Sequence, residues 1–271
     1  MTEYYSSNIK SRNSNIKNMN KFHNYVKRYL YNKYSKKSFV LELAGGRGGD
    51  LFKLIENHVK FVTFIDYDSY ALNEAKKRYN EFFKKTNNNL EIEFFKGDAR
   101  EDLTKNIRKN MYDLVNIHFA IHYMMSNLNT IENIFKNVDY GLKNNGFFIF
   151  SSMDGNKVNN LFNEYKINNN ETLHLKKNNK IVFKLKKLFP NNNLDKFGQK
   201  IEVFVETIGS NIENLTNFEF LINFFKKRNY IVLQDKNFSL LRENFLSKYK
   251  LSPIEIQFSN LNRFVVLQKK K

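Results

Sequence analysis

The stretch FVLELAGGRGGDLFKL, residues 39–54, decides the fold. The chain holds only 10 glycines in 271 residues, and four of them stand at positions 45, 46, 48 and 49. Glycine serves where backbone must turn tightly or come close to a ligand. An apolar run, Phe39 to Leu43, precedes the cluster, and Leu51, Leu54 and Ile55 follow at helical spacing. The pattern predicts a strand, a glycine loop and a helix, with Asp50 placed to cap the helix. Such a loop at the carboxyl end of a first strand is where open α/β sheets take their ligands.

Three loop chemistries compete. A phosphate-binding loop ends in Gly-Lys-Ser/Thr, which Gly49-Asp50-Leu51 does not supply. A dinucleotide fingerprint started at Gly46 is met by Gly48 and fails at Leu51. Asp50 at the helix start would also repel a pyrophosphate. An acidic loop end suits a ligand with a cationic part, and S-adenosylmethionine carries both an ammonium and a sulfonium. The next strand, KFVTFID, ends in Asp66, roughly 20 residues on, where nucleoside-binding sheets hold ribose hydroxyls. The third, LEIEFFKGD, ends in Gly97-Asp98, a second acid able to accept from an adenine amino group.

Outward from this core, Phe22, Tyr25, Val26, Tyr29 and Leu30 predict a helix over about 20–36. SYALNEAKKRYNEFF (69–83) predicts an amphipathic helix, YDLVNIHFA (112–120) a fourth strand, LNTIENIFKNVDYGLKNNG (128–146) a helix with a glycine stop, and GFFIFSSM (146–153) a fifth strand. Repeated β–α units up to residue 152 imply a mainly parallel sheet flanked by helices. Later segments are a helix at 154–165, short strands at 171–175 and 180–185, one strand at 198–209, a helix at 214–230, an extended stretch at 231–234, a helix at 237–249, and a closing strand at 261–271. This tail either adds two antiparallel strands or forms a small appended layer. Residues 1–19 are polar and patternless, and are expected to be a mobile arm before a single domain over 20–271.

Lysine plus arginine number 45 against 27 acids, a formal charge of +18. That balance suggests a polyanionic partner, nucleic acid first, although a Lys- and Asn-rich composition across the chain accounts for part of it. No apolar run reaches the ~18 residues of a membrane helix, and the N-terminus lacks a secretory h-region. With no cysteine there is no disulfide and no thiolate metal site. The expectation is an intracellular protein with no membrane partner and no metal.

Over residues 20–269 the sequence resembles the mRNA cap guanine-N7 methyltransferases of eukaryotes and large DNA viruses. NKFHNYVK (20–27), LELAGGRGGDLFKL (41–54), IDYDSYALNEAKKRY (65–79), YDLVNIHFAIHYMM (112–125), FFIFSSMDGNKV (147–158) and FGQKIEVFVETIG (197–209) followed by NLTNF carry the resemblance. It implies a seven-stranded methyltransferase sheet with one strand reversed near the end, and a cap-binding insertion and C-terminal part around 154–271. It implies a cofactor site of Lys27, Glu42, Ala44, Gly45, Gly46, Asp66, Asp98 and His118, with Lys27 on the cofactor carboxylate. It implies a cap site of His122, Tyr123, Glu206 and Phe264, with Glu206 reading guanine by its N1–H and exocyclic amine. Arg47 and Arg78 are candidates for the triphosphate bridge. The sequence departs from the family's pattern at Glu42 (usually Asp), Ala44 (usually Gly), Arg47 (usually Lys) and His118 (usually Gln). If Ala44 needs a positive φ, it costs on the order of 1 kcal/mol.

The reaction implied is methyl transfer to N7 of a capped 5′ guanosine, by positioning and without a catalytic base. Another methyl acceptor, or a non-catalytic subunit of a capping complex, are the alternatives; an intact glycine loop argues against the second. The partners implied are the capped 5′ end of RNA, with an RNA triphosphatase, guanylyltransferase or RNA polymerase beside it. The place of work is the nucleus for a cellular protein, and a cytoplasmic viral factory or the virion for a viral one.

Overall fold

The computed structural model describes residues 14–85 and 90–271. Its first half alternates helix and strand: α1 (Lys17–Tyr34), β1 (Phe39–Leu43), α2 (Leu51–Glu56), β2 (Phe61–Asp66), α3 (Ser69–Lys85), β3 (Glu91–Lys96) and β4 (Tyr112–His118). A 3₁₀ turn (Ile121–Ser126) leads to α4 (Leu128–Gly141), β5 (Leu142–Met153) and α5 (Gly155–Glu164). Then come β6 (Thr172–Lys177), β7 (Lys180–Lys187), β8 (Lys200–Val205), β9 (Gly209–Asn214), α6 (Phe218–Lys226) and β10 (Tyr230–Asn237). A second 3₁₀ turn (Phe238–Leu241), α7 (Arg242–Leu246), α8 (Pro253–Ser259) and β11 (Asn262–Lys269) complete it.

Seven strands form one sheet in the order β10-β11-β5-β4-β1-β2-β3. β1 pairs in parallel with β2 and β4, β2 with β3, and β4 with β5, while β11 lies antiparallel between β5 and β10. Strands β1 and β2 are apolar almost throughout because both sheet faces are covered. One face packs on α4 and α6 through Ile131, Ile134, Leu221 and Phe225; the other packs on α1, α2 and α3 through Phe22, Val26, Leu54 and Leu72. A second, antiparallel sheet, β6-β7-β8-β9, packs its inner face on α5 and α8, where the Phe183 and Phe258 rings stack 3.9 Å apart. The tail therefore supplies both an antiparallel pair to the main sheet and an appended layer.

Four elements differ from the sequence expectation. The strand expected at 198–209 is a hairpin: β8 ends at Val205, and Gly209, at φ 97°, opens β9 through residues 210–213, for which no element was expected, to Asn214, where a helix was. α4 stops at Gly141 rather than Gly146, because Leu142 turns extended and β5 begins there. α8 was not expected, although Ser252 and Glu255 form a capping box around Pro253 at the first helical position. The expected arm is shorter than 1–19. Residues 1–13 lie outside the described residues, but α1 begins at Lys17, and Ile16 and Met19 are buried in the core of the second sheet.

Candidate active site at the carboxyl edge of the sheet

The loop after β1 is built by steric necessity. Ala44 sits at φ 53° and Gly46 at φ 57°. A Cβ on Gly45 would meet the Phe64 ring at 2.3 Å, and one on Gly48 would meet Leu51 and Ala75. A Cβ on Gly49, by contrast, would meet nothing within 4 Å, so this side of the loop faces open space. At the end of β2, Asp66 is buried; its Oδ2 accepts from the Gly46 amide at 2.7 Å and its Oδ1 from the Asp68 amide at 2.9 Å. Burial raises its pKa and the two amide bonds resist the rise. No cation balances it among the described residues. A buried carboxylate held by backbone, with lone pairs to spare, is suited to a ribose diol.

Asp50 stands at the N-cap of α2 but makes no side-chain cap bond. Its carboxylate instead lies between two ammonium groups, Lys27 from α1 and Lys53 from α2, each at 2.7 Å. Burial alone would raise the Asp50 pKa; the two lysines outweigh it and hold the group well below the usual carboxylate range. Lys27 thus reaches the loop while engaged with Asp50. Glu42, buried on β1, accepts from the Tyr31 hydroxyl at 3.0 Å, and that hydroxyl lies 3.3 Å from Asn116 Oδ1. Burial, then the Asp50 charge, raises the Glu42 pKa above the usual carboxylate range.

Asp98 follows β3 and is engaged by the Arg100 guanidinium through Nε at 2.9 Å and a terminal nitrogen. His118 ends β4, its Nδ1 3.0 Å from Ser151 Oγ and its ring edge-on to Tyr31. Desolvation lowers its pKa to about 3, so the imidazole is neutral. The next residue, Phe119, sits at φ 54°, a strained conformation for a bulky side chain. Its ring stacks on His23 of α1 at 5.3 Å, with the Lys27 ammonium 5.8 Å away.

The 3₁₀ turn after β4 carries His122 and Tyr123, whose rings meet edge to face at 4.1 Å. His122 is buried; its Nδ1 lies 3.3 Å from Ser152 Oγ and its Nε2 3.7 Å from Glu213 Oε2, with no hydrogen-bond partner for Nε2 among the described residues. Burial lowers the His122 pKa to about 3 and raises that of Glu213 to about 8. Glu213, on β9, was not anticipated, because the sequence pattern concealed that strand.

Two expected cap residues are corrected. Glu206 lies in the turn at the far end of the β8–β9 hairpin, five residues beyond Ile201, the partner of Glu213, or about 17 Å of strand. There it accepts from Ser14 Oγ, the Asn15 amide and Asn15 Nδ2 at 3.0, 2.9 and 2.6 Å. Phe264 is 0% exposed within β11, packed against Tyr29 and Phe238, and offers no face to a base. Of the triphosphate candidates, the Arg47 guanidinium lies 5.2 Å over the Tyr70 ring, and Arg78 is exposed on α3.

The edge of the sheet thus gathers Glu42, Asp50, Asp66 and Asp98 beside the open side of the glycine loop. A set of acids at this edge suits a ligand with a ribose, an ammonium and a sulfonium, the composition of S-adenosylmethionine. Among the described residues, no group of three or more His, Cys, Asp or Glu is arranged to hold a metal ion. A family model described as mRNA (guanine-N(7))-methyltransferase domain matches residues 3–263.

The chain belongs to the mRNA (guanine-N(7))-methyltransferase domain family.

Relatives agree. A probable mRNA-capping enzyme of Acanthamoeba polyphaga mimivirus is 30% identical over 233 residues, 76% of this chain and 20% of that protein. An mRNA cap guanine-N(7) methyltransferase of Caenorhabditis elegans is 34% identical over 122 residues, 44% of this chain and 32% of that protein. The chain spans about a fifth to a third of the length of these curated relatives. In fold, it resembles an S-adenosylmethionine-dependent methyltransferase from Clostridium acetobutylicum with a TM-score of 0.58 and 16% identity, over 96% of this chain and 94% of that one. The family's methyltransferase sheet is the seven-stranded sheet described above.

Proposed function

We propose that this chain methylates N7 of the guanine that caps the 5′ end of RNA. The observation that carries the reading is the buried His122–Glu213 pair beside Tyr123, where the first turn after β4 meets β9. S-adenosylmethionine supplies the methyl group as an electrophile on sulfur. Asp66 holds the ribose side of that ligand, and Asp98 lies at the next strand end for the adenine side. Asp50, Lys27 and Glu42 surround the glycine loop and orient the amino acid end.

Guanine enters with a free lone pair on N7, so no residue has to remove a proton from the base. Glu213, releasing to water the proton that burial keeps on it in the free protein, is the acceptor for N1–H and the exocyclic amine, and His122 Nε2, without a partner, is the donor for O6 when its other nitrogen accepts from Ser152. Adenine presents the opposite pattern at that edge, and leaving buried polar groups unpaired is what rejects it. Rate enhancement rests on holding sulfur, methyl and N7 in line, in a site where Asp66 and Asp98 remain as positive charge passes from sulfur to the base. The strained Phe119 and its stack on His23 lie between the two subsites in sequence and fix the turn that joins them.

The finer partners follow from the same reading: a triphosphatase, a guanylyltransferase or RNA polymerase works beside this domain on nascent transcripts. Its place is the nucleus for a cellular protein, or a viral factory or virion for a viral one. The test is incubation with labelled S-adenosylmethionine and GpppA-ended RNA, followed by digestion and separation of the caps. Label in m7GpppA is expected. Label in another nucleotide, or cofactor binding without any label, overturns the reading.

A further inference from the structure

The second sheet has two faces of opposite chemistry, set by its register. Inner rows run Leu173–Leu185–Val203–Asn211 and Leu175–Phe183–Val205–Gly209, and they pack on α5 and α8. Outer rows run His174–Lys184–Phe204–Ser210 and Thr172–Lys186–Glu202–Ile212, with Lys200 opposite Asn214 at the end. Ile212 on this outer side is 60% exposed, and the 3₁₀ turn after β4 meets this side at the Asn214 end.

Lys27, Lys53, Lys77, Lys136, Lys143, Lys177 and Lys269 each pair with a carboxylate. Lys184, Lys186 and Lys200 are in no ion pair among the described residues, although Glu202 stands directly across from Lys186. The Lys184 ammonium lies 5.1 Å over the Phe204 ring. Cations without internal partners, set around an aromatic ring on an open sheet, are the chemistry of single-stranded nucleic acid binding: ammonium groups for phosphates and a π-face for a base. The Lys200 end of the face adjoins the turn that carries His122, because Asn214, opposite Lys200, donates its side-chain amide to the His122 carbonyl at 3.1 Å, while its neighbour Glu213 points to the inner side.

We propose that this outer face is the track for the RNA body that follows the cap, with Lys184, Lys186 and Lys200 on phosphates and Phe204 under a base. The proposal rests on the reading of the chain as acting on capped RNA, and it adds the surface that recognises RNA as a polymer. An acidic protein would find the same cations but would make no use of the ring.

The experiment compares wild type with the triple variant Lys184→Ala/Lys186→Ala/Lys200→Ala, with Phe204→Ala, and with a triple lysine-to-arginine control. Methylation is measured on the GpppA dinucleotide and on an unstructured GpppA-capped RNA of about 20 nucleotides, longer than the ~4–16 that a single-strand platform covers. The triple alanine variant should raise KM for the capped RNA about tenfold or more and leave dinucleotide kinetics unchanged. Its log–log salt dependence should flatten by about 2, at roughly 0.7 for each phosphate no longer neutralised. The arginine control should retain RNA binding. Anisotropy with a fluorescent uncapped RNA of the same length needs no methyl transfer, so failure of the methylation reading and failure of this track are told apart. Equal RNA affinity of wild type and the triple alanine variant overturns the proposal. So does equal binding of poly-glutamate and RNA with no effect of Phe204→Ala.

Discussion

His122 Nε2 lies 3.7 Å from Glu213 Oε2, and both side chains are buried. Neither carries charge near neutral pH, since burial lowers the imidazole pKa to about 3 and raises the carboxyl to about 8. The pair is a neutral acid beside a neutral base. Removing two charges from water costs more than a separation of this size returns, and both groups shed charge instead.

The first prediction is a pH dependence of stability. The folded Glu213 carboxyl holds its proton from its ordinary value of 4.5 up to about 8, so the folded state binds more protons than the unfolded state in that window. Its contribution is fully present below pH 4.5 and is lost as pH rises toward 8, by up to about 1.4 kcal/mol per pH unit. Glu213→Gln lacks this dependence. Denaturant melts should therefore show the variant gaining on wild type between about pH 5 and 8 and holding level above. His122 acts in the opposite sense below its ordinary 6.5, equally in both proteins. Parallel curves for the two proteins would remove Glu213 from the buried state described.

Glu206 offers a contrasting test. It accepts three bonds from Ser14 and Asn15 and ties the start of α1 to the second sheet. Glu206→Ala should lower stability by about 1–3 kcal/mol and speed amide exchange at residues 15–19. KM for GpppA should stay at the wild-type value. A large rise in that KM with unchanged exchange would return Glu206 to the guanine site.

Ala44→Gly should stabilise the fold by about 1 kcal/mol, because φ 53° is costly for a residue with a Cβ. For a domain of this size that is a Tm increase of roughly 2–4 °C. A lower Tm in calorimetry would mean that packing of the Ala44 methyl outweighs the backbone cost.

Asp66→Ala should weaken S-adenosylmethionine binding at least tenfold by calorimetric titration, a loss of about 1.4 kcal/mol or more. Asp66→Asn keeps an acceptor for the Gly46 amide and should show which part of the loss is loop geometry. Wild-type affinity in the alanine variant would take the ribose role away from this carboxyl.

Much of this was legible in the sequence, for definite reasons. Strands β1 and β2 are apolar runs that end where glycine or aspartate must follow, so the loop and Asp66 announce themselves. The single reversed strand, β11, lay within the family resemblance. Glu213 was hidden because SNIEN carries no apolar alternation: β9 is an edge strand whose pattern is intermediate and exposed residues around one buried acid. Glu206 drew attention instead through the family resemblance of FVETIG, in a stretch where β8 reads as a strand running on to Gly209. Phe264 shows the limit of type without parity. An aromatic near a site serves it only if its face is open, and the pairing of β11 with β5 and β10 closes that face.

α1 is anchored at two points by different halves of the molecule. Ile16 and Met19 are buried with the second sheet, and the Met19 amide donates to Glu255 of α8. Two turns further on, Lys27 grips Asp50 at the glycine loop. The helix is therefore a rigid tie-rod, and the spacing between cofactor loop and insertion layer is set by its length rather than by the contents of either pocket. A chain shortened to start at Asn20 would keep every strand of both sheets and every carboxylate of the edge, yet lose the fixed gauge between them. Such a protein would bind its two ligands as separate guests and seldom bring them to bonding range.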